Sequence, residues 1–214
     1  MTPAKGQATR RRLVEEAVRR FGKGGYDGTS IEAVASAAGV RKQTLLYYFP
    51  TKEALLEACV GEVSARVGEA LATALAAQES ESAKAETVVR AVFGLAEQWP
   101  EFPQFVREAA RMSPDVITAF AAGLEPLRQR ALKFLDNGMA SGTIRRQDPA
   151  LLLFTLYTAV VGSITEAGVL RAVVGEDSSR TALRRREQEV LAFVRSALAP
   201  SESEPGRPAQ RAAN

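Results

Sequence analysis

The chain has 214 residues, enough for one domain plus a small module and for a sizeable core. Histidine is absent and cysteine occurs once, at Cys59. That excludes His triads, His bases, His or Cys-cluster metal sites and an intramolecular disulfide. The net charge is +3, yet the first 55 residues hold ten Lys or Arg against five acids, and the remainder holds 18 against 20. A basic N-terminal module therefore precedes a near-neutral body, and nucleic acid or a membrane surface is the implied partner of that module.

Taken in chain order, the elements are all helical. Period-2 strand patterns bounded by hairpin turns are missing, while Ala, Leu, Arg and Glu dominate. Leu13, Ala17 and Phe21 recur at helical spacing and predict a helix over 9–22, stopped by the glycines after it. Arg10, Arg11 and Arg12 lie in a basic N-terminal arm. Thr29 or Ser30 caps a second helix with Ile31, Val34, Ala35 and Ala38 inward. Gly39 ends it. A third helix spans about 41–49, and Pro50 breaks it. Thr51 caps a fourth, from 52 to about 77. Residues 78–85 read as a polar connector. Helices follow at about 85–98, 103–112 and 114–140, the last opened by Ser113-Pro114-Asp115 and kinked or split at Pro126. Asp148-Pro149 opens a helix to about 174, residues 175–178 form a turn, and a last helix covers 179–199. From Pro200 the chain is polar and Pro-rich, which predicts a disordered tail.

No apolar signal core precedes the first helix, and the longest uncharged apolar stretch, 149–165, is short and dotted with Thr, Tyr and Ser. It reads as a buried helix rather than a membrane span. The expected setting is cytoplasmic.

Residues 29–52, TSIEAVASAAGVRKQTLLYYFPTK, carry the function. Two short helices flank Ala38-Gly39-Val40, which is the helix-turn-helix layout. In it the first helix braces the second, and the second enters the DNA major groove. Ile31, Val34, Leu45 and Phe49 suffice for a small internal core. Arg41, Lys42, Gln43, Thr44 and Tyr47 or Tyr48 are left to face outward. Lys and Arg can contact guanine O6 and N7, and Gln can bridge adenine N6 and N7.

These residues, with Phe21, Gly25-Tyr26-Asp27-Gly28-Thr29-Ser30, Thr44-Leu45, Tyr47, Phe49 and Lys52 in order, resemble the DNA-binding domain of TetR-family transcriptional regulators over about the first 60 residues. The resemblance implies roles by position. Thr29 and Ser30 cap the second helix and touch phosphate. Arg41, Lys42, Gln43 and Thr44 form the recognition helix. Tyr47 contacts phosphate or packs below that helix, and Lys52 binds phosphate. Leu46 and Tyr48 depart from the family, which commonly has Tyr and His there. Leu46 cannot hydrogen-bond phosphate, whereas Tyr48 retains a hydroxyl.

The resemblance also implies an all-α fold with three parts: a helix-turn-helix domain with its basic arm over 1–52, a helical effector-binding and dimerisation domain over 53–199, and the tail over 200–214. A homodimer on a palindromic double-stranded operator is expected, because two half-sites need a two-fold partner. Leu156, Val160, Ile164, Val190 and Val194, on the two last long helices, are the expected interface. The effector is expected to be a small, largely apolar organic molecule. Its pocket is assigned to Phe93, Trp99, Phe102, Phe105, Phe120 and Tyr157, although aromatics at helical spacing are also what a plain core uses. No metal, cofactor or membrane partner is expected. A repressor released by its ligand is the leading function. An activator or a regulator controlled by a protein partner is the alternative. An all-helical enzyme is the remote one, since no P-loop, dinucleotide fingerprint or nucleophile–base pair occurs.

Overall fold

The computed structural model describes residues 3–76, 81–112, 114–175 and 179–200. The expected tail lies outside the described residues apart from Pro200, as do the Ser113 cap and most of the 175–178 turn. Among the described residues there are ten helices and no strand: α1 (Pro3–Gly24), α2 (Ile31–Ala37), α3 (Lys42–Tyr48), α4 (Lys52–Ala76), α5 (Glu81–Gln98), α6 (Phe102–Met112), α7 (Pro114–Ser141), α8 (Pro149–Thr165), α9 (Ala167–Val174) and α10 (Arg180–Leu198).

Four features differ from those read from sequence. Helix α1 begins at Pro3, so Arg10, Arg11 and Arg12 are helical rather than part of a loose arm. Proline at the first turn gives up no hydrogen bond, and nothing from Ala4 to Thr9 stops the helix. Helix α5 starts at Glu81 inside the expected connector, and Pro126 lies within an unsplit α7. The fourth difference is the helix expected to reach 174, which ends at Thr165 and resumes as α9 at an angle of 85°. Arg186 of α10 donates from Nη1 to the Ser163 carbonyl at 2.7 Å. That occupies a carbonyl that a continuing helix would offer to the amide of residue 167. No single helix among the described residues is long and apolar enough to cross a membrane.

Two cores hold these elements. The first takes Leu13, Ala17 and Phe21 from α1, Val34 and Leu45 from the helix-turn-helix, Leu55, Cys59 and Val63 from α4, and Phe102, Phe105 and Ala109 from α6. Each fully buried Leu or Phe here contributes about 1.5–3 kcal/mol. This core runs without a gap from the helix-turn-helix into the body, because α6 packs along α1 and α4 along α7. The second core joins α5, α7, α8 and α10 through Phe93, Leu135, Leu152, Val160, Ile164, Leu191 and Val194.

Helices α1 and α6 approach closely at one glycine. A Cβ on Gly22 would lie 3.0 Å from both the Glu101 carbonyl oxygen and the Phe105 amide nitrogen. Arg19 of α1 also pairs with Glu101 at 3.5 Å. The body thus meets the N-terminal module backbone to backbone.

Candidate DNA interface

Ser30, not Thr29, caps α2. Its hydroxyl accepts from the Ala33 amide at 3.1 Å, with the extended backbone of a cap residue. Thr29 is buried, and its hydroxyl lies within donating distance of the Gly25 (2.8 Å) and Arg20 (3.1 Å) carbonyls. It ties the end of α1 to the following turn. The sequence could not separate two adjacent hydroxyl residues at one helix start.

The turn between α2 and α3 uses Gly39 at φ +66°, a left-handed conformation that costs a β-carbon residue about 1 kcal/mol or more. The Val40 amide then donates to the Ala35 carbonyl at 2.9 Å. Leu45 and Phe49 anchor α3 in the core. With that face fixed, Arg41, Lys42 and Gln43 are exposed and Thr44 half-exposed on the other side.

Tyr47 and Tyr48 divide. Tyr47 is 79% exposed and stands on the outer face. Tyr48 turns inward, half-buried against the first core, and its hydroxyl is buried with no hydrogen-bond partner among the described residues. Tyr48 therefore leaves the outward set, because a seven-residue helix anchored through Leu45 and Phe49 cannot present both neighbours on one side. The two rings meet edge to face at 5.3 Å.

Lys52, at the start of α4, holds its ammonium 4.1 Å from the centre of the Tyr26 ring. The Tyr26 hydroxyl donates to Glu53 at 3.0 Å. Burial, then this bond and the nearby acids, push the phenol up to about 12. Thr51 caps α4 by accepting from the Ala54 amide at 3.0 Å. Arg10 of α1 lies over the Phe49 ring at 5.2 Å, which brings the first basic helix beside the end of α3.

Sequence reading missed two acids here. Glu32 of α2 accepts a hydrogen bond from the Lys42 ammonium, and that bond, foremost, lowers its pKa. Glu108 of α6 accepts from the Tyr26 backbone amide at 3.0 Å. Neither has a sequence signal, since the partners are 10 and 82 residues apart.

The expected effector aromatics divide between the two cores and the surface. Phe93 is buried in the second core, while Phe102, Phe105, Trp99 and Phe120 pack in or against the first. Tyr157 is half-exposed on α8. Trp99 borders a groove of about 380 Å³ with Arg66, Glu69, Ala70, Leu95 and Gln98. The Arg66 guanidinium lies 4.5 Å from the centre of the Trp99 ring and pairs with Glu62 (2.7 Å) and with Glu15 of α1 (2.8 Å).

The expected dimer residues also need correction. The helices stand, but Val160, Ile164, Val190 and Val194 face into the monomer's own second core, with Leu156 packed against it. Such helices are apolar on more than one face, so composition alone cannot say which one is inward. The apolar side chains left outside on α8 and α10 are Leu151, Phe154, Tyr157 and Phe193.

Residues 13–59, which span α1 to the first turns of α4, match the bacterial regulatory proteins of the tetR family. Over this module the chain is similar to the DNA-binding domain of TetR-family transcriptional regulators. It is similar to the regulator RutR of Escherichia coli K12, 25% identical over 169 residues that cover 78% of this chain and 79% of RutR. The negative transcriptional regulator of the biofilm operon icaADBC of Staphylococcus aureus is 31% identical over 49 residues, 23% of this regulator and 26% of that protein. In fold, the regulator is similar to FadR of Bacillus subtilis, solved with stearoyl-CoA, at a TM-score of 0.73 and 18% identity over 88% of this chain and 98% of that one. The regulator is accordingly a DNA-binding protein and not an enzyme.

Proposed function

We propose that this chain is a homodimeric repressor, released from a palindromic operator by a small, largely apolar effector. The observation that carries this reading is the outward set on α3. Arg41, Lys42, Gln43, Thr44 and Tyr47 are exposed or half-exposed on one short helix whose other face is locked by Leu45 and Phe49. In this reading α3 enters the major groove with Lys42 and Gln43 at base edges. Ser30, Tyr47 and Lys52 meet phosphates, and Lys52 is already aimed by the Tyr26 ring.

The second copy covers Leu151, Phe154, Tyr157 and Phe193. Exposed large apolar side chains on adjacent helices favour such burial. The repressor role is supported by the name of the icaADBC relative. The apolar effector is supported by the stearoyl-CoA held by FadR. The groove at Trp99 is the entry this reading favours, because a ligand there meets Arg66, which holds Glu15 of α1. An effector acts through its different affinity for two states, and moving Arg66 or α6 alters how α1 carries the helix-turn-helix.

The test is retardation of duplex DNA from beside the protein's own gene at low salt. The expected result is a sequence-specific complex that weakens steeply as salt rises. Absence of any retarded species at low salt would remove the basis of the reading.

A further inference from the structure

Lys42 is the first residue of α3 and Glu32 the second of α2. Their side chains form an ion pair that joins the starts of the two helices, and both remain about half-exposed. Glu32 lies in the first turn of α2, where the free amides favour an acid, but its side chain also reaches the reading helix. The module is basic, the partner is a polyanion, and an acid beside the reading helix opposes every phosphate that approaches. The helix start favours the acid but does not require its pairing with Lys42, and an exposed pair of this kind adds little to folding.

We propose that Glu32 is a specificity-determining residue that acts by positioning Lys42. The inference rests on the assignment of α3 to the major groove. An ammonium has three donors and a flexible four-carbon stem. Left free, it pairs with whichever phosphate is nearest and strengthens binding to every sequence alike. Held by Glu32, one donor is occupied and the stem is fixed, so the other donors are presented at the start of α3, where base edges are met. The pair is also nearly neutral as a unit. Lys42 therefore contributes little to counterion release on random DNA. Glu32 lowers non-specific affinity while keeping the specific contact, and so widens the ratio between the two. That ratio, and not the bare dissociation constant, decides occupancy among many competing sites.

The test compares Glu32→Gln with wild type on two duplexes. One is of mixed sequence. The other is the duplex that wild-type protein selects most strongly from a random pool. Both are titrated across a salt series. Glu32→Gln is expected to bind the mixed duplex more tightly at low salt, with a salt slope steeper by about 0.9, one further phosphate neutralised. The ratio of selected to mixed affinity is expected to fall. The same substitution beside Lys42→Met separates mechanisms. There it should strengthen both duplexes alike and leave the ratio unchanged. An unchanged or higher ratio for Glu32→Gln alone overturns the proposal. So does an equal fall in both backgrounds, because Glu32 would then read a base itself. Matching helical circular dichroism among the variants excludes unfolding as the cause. If wild type selects no duplex, the DNA-binding assignment fails. If it selects one and Glu32→Gln changes nothing, only the role of Glu32 fails.

Discussion

Glu108 accepts a hydrogen bond from the backbone amide of Tyr26 at 3.0 Å. A side chain of α6 thus holds the turn that leads into α2, and the ring of the same Tyr26 faces the Lys52 ammonium. One residue therefore receives a contact from the body through its backbone and makes one to a proposed phosphate-binding lysine through its side chain. Glu108→Ala removes a hydrogen bond to a charged acceptor, worth about 1–2 kcal/mol at a half-buried site. Urea melts should show that loss. DNA affinity should fall with it, since the α1–α2 turn loses its brace. Unchanged melting and unchanged DNA binding would mean that α6 does not hold the turn.

Gly22 marks a close approach of α1 to α6. Replacing glycine by alanine inside a helix ordinarily stabilises by up to about 1 kcal/mol. At Gly22 the added methyl meets two backbone atoms at 3.0 Å, which cannot yield as a flexible side chain does. Gly22→Ala is expected to destabilise by about 1–3 kcal/mol net of the helix gain. Gly61→Ala on α4, where nothing lies within 4 Å, should stabilise instead. Thermal melts of both variants check the contrast. Stabilisation of Gly22→Ala would show that the α1–α6 contact is loose.

Lys52 and Gln43 should fail in different ways. Lys52→Ala is expected to weaken all duplexes alike and to reduce the salt slope by about one. Gln43→Ala is expected to cost about 1–3 kcal/mol on the preferred sequence only, and so relax preference at one base pair. Titrations on matched and mismatched duplexes distinguish the two. Loss of base preference from Lys52→Ala would contradict a phosphate role.

The adjacent tyrosines offer a test of orientation. Tyr48→Phe deletes a buried hydroxyl that has no partner among the described residues. Stability should hold or rise by up to about 1 kcal/mol, and DNA binding should not change. Tyr47→Phe removes an exposed hydroxyl and should weaken DNA binding without altering the melt. The reverse pattern would exchange the two roles.

Local signals were legible in the sequence where one residue decided the conformation. Gly39 marked the turn, Pro50 the end of α3, and Asp148 the start of α8, where its carboxylate accepts from the Ala150 and Leu151 amides at 2.9 Å. The inward set Val34, Leu45 and Phe49 followed from helical spacing. Three things were not legible. Ser30 and Thr29 share a chemistry, and only tertiary contact with Arg20 draws Thr29 inside. The break between α8 and α9 follows from Arg186, 23 residues along the chain from Ser163. The inward faces of α8 and α10 are the third: α8 is apolar on several sides, α10 carries Phe193 outside its buried stripe, and burial depends on neighbours that the pattern does not name.

The most direct measurement is sedimentation of the regulator alone and with the duplex that it selects from a random pool, for wild type and for Phe154→Arg. The account predicts a wild-type dimer that binds two half-sites about 34–36 Å apart. It predicts that Phe154→Arg, on the exposed face of α8, is a folded monomer whose affinity for the same duplex is largely lost. A monomeric wild type, or a monomeric variant that binds the duplex as tightly as wild type, would contradict it.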